Sequence, residues 1–101
     1  MPITGEGALP NSFKIFETEQ YLRDLRKLKI GEKSSLYKKI SQNIYAQLKE
    51  NPFYGRNIKK LKDWKPETWR YRINRFRMFY TIDKDEGIIF IIAIDPRDKA
   101  Y

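Results

Sequence analysis

The spacing of hydrophobic positions changes along the N-terminal half of the chain and predicts a strand followed by two helices. Residues 13–17 alternate in the manner of a short strand. Apolar positions then follow helical spacing over 19–28, and Gly31 supplies a stop. A second amphipathic helix begins at the serine pair 34–35 and ends at the Asn-Pro pair 51–52. The two helices predict a hairpin whose apolar stripes need a covering surface.

The C-terminal half alternates with a period of two and predicts that surface. Residues 68–73 and 76–82 read as two strands joined by a tight turn at Asn74-Arg75. The segment 88–94 is apolar at nearly every position, which predicts a strand buried on both faces near the middle of a sheet. The expected fold is α+β in the order β-α-α-β-β-β, a small antiparallel-dominated sheet with the helical hairpin on one face.

A basic stretch, residues 52–67, separates the helices from these strands. Leu61 and Trp64 stand isolated among lysines, and Pro66 interrupts regular structure. The composition predicts an ordered loop that Leu61 or Trp64 fastens to the core.

Pairing across the Asn74-Arg75 turn determines which side chains share a face of the sheet. Because side chains alternate, the apolar positions of both strands fall on the core face. The opposite face then carries Arg70, Arg72, Arg77 and Phe79. Like charges opposite one another destabilise a sheet, so this face predicts a bound anion, with Phe79 offering a ring on which a base could stack. The alternative is that Asp95 or Glu67 pairs with the arginines.

Length and composition limit the classes of function. With 101 residues the chain forms one domain, which we expect over 13–101 after a flexible lead-in at 1–12. The absence of cysteine and histidine excludes disulfides, zinc fingers and Ser-His or Cys-His catalysis. The longest apolar run is far shorter than the roughly 20 residues of a membrane helix, so we expect a cytoplasmic protein without membrane contact.

The positive charge is concentrated in one segment. Residues 54–77 hold nine basic and two acidic side chains, which is +7 of the formal net charge of +8. A concentrated basic patch predicts a polyanionic partner, although lysine-rich surfaces also serve solubility alone. The residues predicted to contact RNA are Lys59, Lys60, Lys62, Lys65 and Phe79.

The stretch Trp69-Arg-Tyr-Arg-Ile-Asn-Arg-Phe-Arg-Met-Phe-Tyr80 resembles the Tyr-Arg-x-Arg-x-Gly-x-Tyr-Arg-x-x-Tyr signature of RelE/ParE-type toxins of type II toxin-antitoxin systems. The resemblance extends over roughly 13–101 and favours the RelE branch. It implies a RelE-like microbial RNase fold. It also implies a ribosome-dependent mRNA endoribonuclease that needs no metal or other cofactor, in which the ribose 2′-hydroxyl attacks the adjacent phosphate and translation stops.

The resemblance also assigns roles and partners. Arg70, Arg72 and Arg77 would stabilise the phosphate, Arg97 would donate a proton to the leaving 5′-oxygen, and Tyr101 would stack on a base. The partners implied are the ribosome, its mRNA and a cognate antitoxin, in a heterotetramer or another oligomer. Two competing functions remain open: a ParE-like inhibitor of DNA gyrase, and a catalytically silent relative that binds RNA or the ribosome.

The general base is the residue that the signature leaves open. Many relatives carry a histidine before the arginine that matches Arg97, whereas this chain reads Asp95-Pro96-Arg97. Arginine stays protonated and is a poor acceptor for the 2′-hydroxyl proton. Candidates by position are Glu67, Asp95, Lys65 and Tyr71, of which Glu67 ranks first, and the hairpin pattern turns Tyr71 toward the core.

Overall fold

The computed structural model describes residues 12–96. The predicted lead-in, apart from Ser12, and the predicted site residues Arg97 and Tyr101 lie outside the described residues. The elements are β1 (Lys14–Glu17), α1 (Glu19–Lys27), α2 (Ser35–Lys39), a π-helical turn (Ile40–Ile44), α3 (Tyr45–Glu50), β2 (Ile58–Lys60), β3 (Trp69–Ile73), β4 (Phe76–Asp83) and β5 (Ile88–Pro96).

The five strands form one mixed sheet in the order β1-β5-β4-β3-β2. β1 lies parallel to β5 and every other pairing is antiparallel, which confirms the predicted α+β fold and its antiparallel-dominated sheet. β2 corrects the prediction that 52–67 is an ordered loop without a strand. It is a three-residue edge strand with one apolar residue, Ile58, and such a strand is too short to show a period.

α1 begins as predicted and ends on a different residue. The Thr18 hydroxyl caps its first turn by accepting from the backbone N–H of Tyr21 at 3.4 Å. At the other end Lys29, and not Gly31, adopts the left-handed conformation, with φ 61°. The backbone N–H of Ile30 then donates to the carbonyl of Leu25 at 2.8 Å. A lysine therefore occupies the position at which glycine has the smallest steric cost.

α2, the π-helical turn and α3 form one continuous helix, which we call the long helix. Its buried residues Ile40, Ile44 and Leu48 recur every four positions, whereas an α-helix turns every 3.6 residues. A π-helical turn is wider, and here it keeps all three side chains on the face that packs against the sheet.

The helices cover one face of the sheet, and the core lies between the helices and that face. Met78, Tyr80, Ile89 and Ile91 are fully buried on that face. The prediction that β5 is buried on both faces is wrong, since only its helix-facing side chains are buried and those on the other side are partly exposed. We call the side of the sheet that faces away from the helices the open face.

A carboxylate and three tyrosines fasten the helices to β1. Glu17 Oε2 accepts hydrogen bonds from the hydroxyls of Tyr37 at 2.6 Å and Tyr45 at 2.7 Å. The Tyr45 hydroxyl also lies 3.0 Å from that of Tyr21. Burial raises the pKa of Tyr21 and of Tyr45 well above the ordinary tyrosine value. These phenols therefore act as neutral donors throughout the physiological range.

Candidate nucleic-acid interface

The β3–β4 hairpin has the register predicted from the sequence. Arg70 pairs with Phe79, Arg72 with Arg77 and Ile73 with Phe76 across the turn. Asn74 adopts φ 51° there, as asparagine tolerates. The hairpin therefore places Arg70, Arg72, Arg77 and Phe79 together on the open face.

β2 and β5 extend this arrangement into two cross-strand rows. One row runs from Lys59 through Arg70 and Phe79 to Ala93, and the neighbouring row from Arg72 through Arg77 to Asp95. The register of β5 against β4 shifts between Phe79 and Tyr80, which leaves Ile92 as a bulge. The shift places Asp95 opposite Arg77. The open face thus carries four cations in adjacent rows.

Arg77 is paired with a carboxylate of the same chain. Arg77 Nε donates to Asp95 Oδ1 at 3.1 Å, in a pair whose side chains are 27% and 34% exposed. The sequence favoured an external anion over a carboxylate partner for the arginines, and for Arg77 this preference is wrong. Asp95 already occupies one anion position in the row.

Trp64 also lies in a different place from the one predicted. Its indole stacks on the Phe79 ring with centroids 6.0 Å apart and planes inclined by 11°, and its exposed fraction is 52%. Trp64 therefore fastens the loop to the open face, whereas Phe53 and Ile58 of the same segment pack against the core. Phe79 does not present a bare ring, because Trp64 covers one side of it and the Arg77 guanidinium carbon lies 5.7 Å from its centroid.

These side chains enclose a groove that we call the arginine groove. Its volume is about 430 Å³. The lining combines cationic, aromatic, aliphatic and acidic side chains, namely Leu61, Trp64, Arg70, Arg77, Phe79, Ile92, Ala93 and Asp95. Guanidinium groups beside an exposed ring form the combination that binds phosphate and base together.

The predicted lysines and Glu67 do not all join this groove. Lys59 lies on the open face beside Arg70, while the alternation of β2 puts Lys60 on the other side. Lys60 Nζ pairs with Glu67 Oε2 at 2.9 Å, and the ammonium lowers the pKa of that carboxyl. Lys62 and Lys65 are exposed on either side of Trp64.

Glu67 lies apart from the arginines that it was predicted to serve. It precedes β3, whereas Arg72 lies near the end of that strand. Glu67 precedes Arg70 by three positions and Arg72 by five, which correspond to roughly 10 and 17 Å along an extended chain. The lowered pKa also makes the carboxylate a weaker base. Tyr71 is buried, and its hydroxyl donates to Gln47 Oε1 at 2.6 Å, so the hairpin pattern placed it correctly toward the core.

Two further properties concern residues 12–96 alone. No helix in this range is long and apolar enough to cross a membrane. No group of three or more acidic side chains in the same range is placed to hold a metal ion.

Comparison with known proteins agrees with the fold and with the signature. Residues 15–101 match the family described as ParE toxin of type II toxin-antitoxin system, parDE. A protein of Methanocaldococcus jannaschii with the provisional name toxin RelE1 is 36% identical over 88 residues, which are 85% of this chain and 94% of that protein. The chain therefore belongs to the RelE/ParE superfamily of toxins of type II toxin-antitoxin systems.

Solved structures of low sequence identity share the fold. The archaeal RelE-RelB complex from Pyrococcus horikoshii OT3 aligns with a TM-score of 0.68 at 17% identity, covering 88% of this chain and 99% of that one. The RelBE2 toxin-antitoxin complex of Mycobacterium tuberculosis gives 0.66 at 22% identity, covering 85% and 99%. A variant of E. coli toxin RelE in the free state gives 0.63 at 18% identity, covering 86% and 85%.

Proposed function

We propose that this toxin is a ribosome-dependent mRNA endoribonuclease of the RelE kind. The observation that carries the proposal is the arginine groove, where Arg70 and Arg77 line the same cavity as an exposed indole. Single-stranded RNA needs cationic groups for its phosphates and rings for its bases, and the groove offers both. The RelE name of the Methanocaldococcus jannaschii relative supports this branch.

In the proposed reaction the ribose 2′-oxygen attacks the adjacent phosphorus and the bond to the 5′-oxygen breaks, leaving a cyclic phosphate. Arg70, Arg72 and Arg77 neutralise the charge that develops on the phosphoryl oxygens. Asp95 is the carboxylate in the groove lining, and we assign to it the acceptance of the 2′-hydroxyl proton in preference to Glu67. By its match to the family signature, Arg97 is the residue that we assign as the proton donor to the leaving 5′-oxygen.

A cognate antitoxin is the second proposed partner. The neighbours from Pyrococcus horikoshii and Mycobacterium tuberculosis are both complexes of a toxin with its antitoxin. A charged, partly apolar open face suits coverage by an acidic amphipathic segment. Such coverage would keep the toxin inactive in the cytoplasm until the antitoxin is removed.

The test is primer extension on an mRNA translated in a cell-free system. The purified chain should produce cuts that depend on ribosomes, and Arg77→Ala should reduce cutting about 100-fold or more. Arg23→Ala, which removes the same charge from an exposed position on α1, is the matched control and should cut normally. Uncut mRNA with the unsubstituted chain would refute the proposal.

Inhibition of DNA gyrase is a second candidate, and the ParE description of the matched family favours it. Such a toxin acts by contacting the gyrase protein and needs no RNA-cleaving constellation. Gyrase supercoiling assays with the unsubstituted chain and with Arg77→Ala separate the two functions. Inhibition of supercoiling beside intact mRNA would select this candidate.

A further inference from the structure

The position of Trp64 is unusual for the largest apolar side chain. It projects from a loop of exposed, mostly charged residues and leaves 52% of its surface in water. Lys62 and Lys65 flank it in the sequence. The core gains little from an indole placed there, so its location needs another explanation.

The contacts of Trp64 hold its ring in a defined orientation. Stacking on Phe79, with planes inclined by 11°, occupies one face of the indole, and about half of the side chain stays exposed. Phe79 is itself held within β4 between its paired neighbours Arg70 and Ala93. The exposed part of the indole is therefore preorganised beside the groove, which lowers the entropy lost when a flat ligand stacks on it.

Cations for a phosphate adjoin this ring. Arg77 and Trp64 both contact Phe79, and Arg70 lines the same cavity. A nucleotide with its base on Trp64 would hold its phosphate next to these guanidinium groups. Bases stack on aromatic rings whatever their hydrogen-bonding pattern, so such a platform accepts single strands of many sequences.

We propose that Trp64 is a stacking platform for one base of single-stranded RNA at the arginine groove. The proposal rests on the proposed endoribonuclease function and adds to it a residue that fixes the position of the RNA. It also explains why Phe79 is covered, since Phe79 supports the platform instead of forming it. Adenine should stack better than uracil, because its ring system is larger.

The chain contains two tryptophans, and this gives a direct optical test. Trp69 packs edge-on against Phe53 and lies on the other side of the sheet, so Trp69→Phe leaves Trp64 as the emitting residue. Titration of that variant with a short oligoadenylate should quench the emission. In Trp64→Phe, where Trp69 alone emits, the same titration should leave the emission nearly unchanged.

Affinity measurements separate stacking from charge. Trp64→Leu should weaken oligoadenylate binding about 5- to 100-fold without altering the dependence of affinity on salt. Arg77→Ala, which removes a phosphate contact, should reduce the slope of log affinity against log salt by about 0.7. Matching circular dichroism spectra and thermal midpoints will establish that both variants are folded.

Two results would overturn the stacking platform. One is a Trp64→Leu variant that binds oligoadenylate as tightly as the unsubstituted chain. The other is an unsubstituted chain that binds no oligoadenylate at low ionic strength. Because these assays contain no ribosomes, their outcome is independent of the primer-extension result that tests the endoribonuclease itself.

Discussion

Replacement of Asp95 by asparagine should increase affinity for RNA while decreasing cleavage. Arg77 Nε donates to the Asp95 carboxylate at 3.1 Å. Asparagine retains an oxygen that can accept this hydrogen bond, but it carries no charge. The substitution therefore removes the internal anion from the Arg72–Arg77–Asp95 row and releases the field of Arg77 toward a phosphate. It also removes the proposed proton acceptor.

The size of each effect follows from the geometry. A carboxylate about 6 Å from a bound phosphate opposes it by roughly 0.7–2.8 kcal/mol at effective dielectric constants of about 80 to 20. Screening at physiological salt favours the lower end, so RNA should bind about 3- to 10-fold more tightly. Loss of a general base slows cleavage by about 100- to 10,000-fold. Because the pair is partly exposed, unfolding free energy should fall by less than about 1 kcal/mol.

The assay combines oligonucleotide binding with ribosome-dependent primer extension on the same preparations. Glu67→Gln is the matched control, since it removes one carboxylate charge beside Lys60 and outside the groove lining. That variant should change neither binding nor cleavage appreciably. Unchanged or weaker RNA binding by Asp95→Asn would refute the internal-anion interpretation, and undiminished cleavage would refute the role of Asp95 as base.

Three further predictions concern stability, each measured by denaturant unfolding. Lys29→Gly should stabilise the fold by about 0.5–1 kcal/mol, because glycine relieves the positive φ that ends α1. Gly31→Ala should be tolerated, since its added Cβ meets no atom within 4 Å. A destabilising Gly31→Ala beside a neutral Lys29→Gly would show that Gly31 is the helix stop after all. Tyr45→Phe should cost about 1–3 kcal/mol because Glu17 loses a donor, and a cost near zero would show that the carboxylate finds water instead. Burial raises the pKa of Tyr80 above its ordinary value of about 10. The contribution of neutral Tyr80 to the free energy of unfolding is therefore complete below pH 10 and is lost as the pH rises further, by up to about 1.4 kcal/mol per pH unit. A free energy of unfolding that stays constant up to pH 12 would contradict this sign.

Features encoded by local spacing were predictable from the sequence. Alternation over Trp69–Ile73 and Phe76–Asp83 gave the hairpin and its register, because a slip by one residue would bury arginines. Both helices followed from their apolar spacing, and the second also from the serine pair whose first member, Ser34, caps it. The convergence of Arg70, Arg72 and Arg77 on one face is a direct consequence of that register.

Features that depend on distant pairing were not predictable. β2 has too few residues to show a pattern and forms by pairing with β3. The Arg77–Asp95 contact depends on the bulge at Ile92, which moves the last residues of β5 by one place against β4. The position of Trp64 depends on the path of a loop that has no period. Each needs a partner that adjacent residues do not specify.

The pairing of β1 with β5 also has a consequence for the time at which the molecule can fold. Lys14 pairs with Ile88, so the first strand aligns with a strand more than 70 residues later in the chain. Contacts of such large sequence separation form slowly, because a long loop must close before they contribute. A nascent chain lacking β5 has no sheet partner for β1 and no Asp95 opposite Arg77. The groove therefore cannot exist until β5 has been synthesised and paired, because Ile92, Ala93 and Asp95 of β5 form part of its lining.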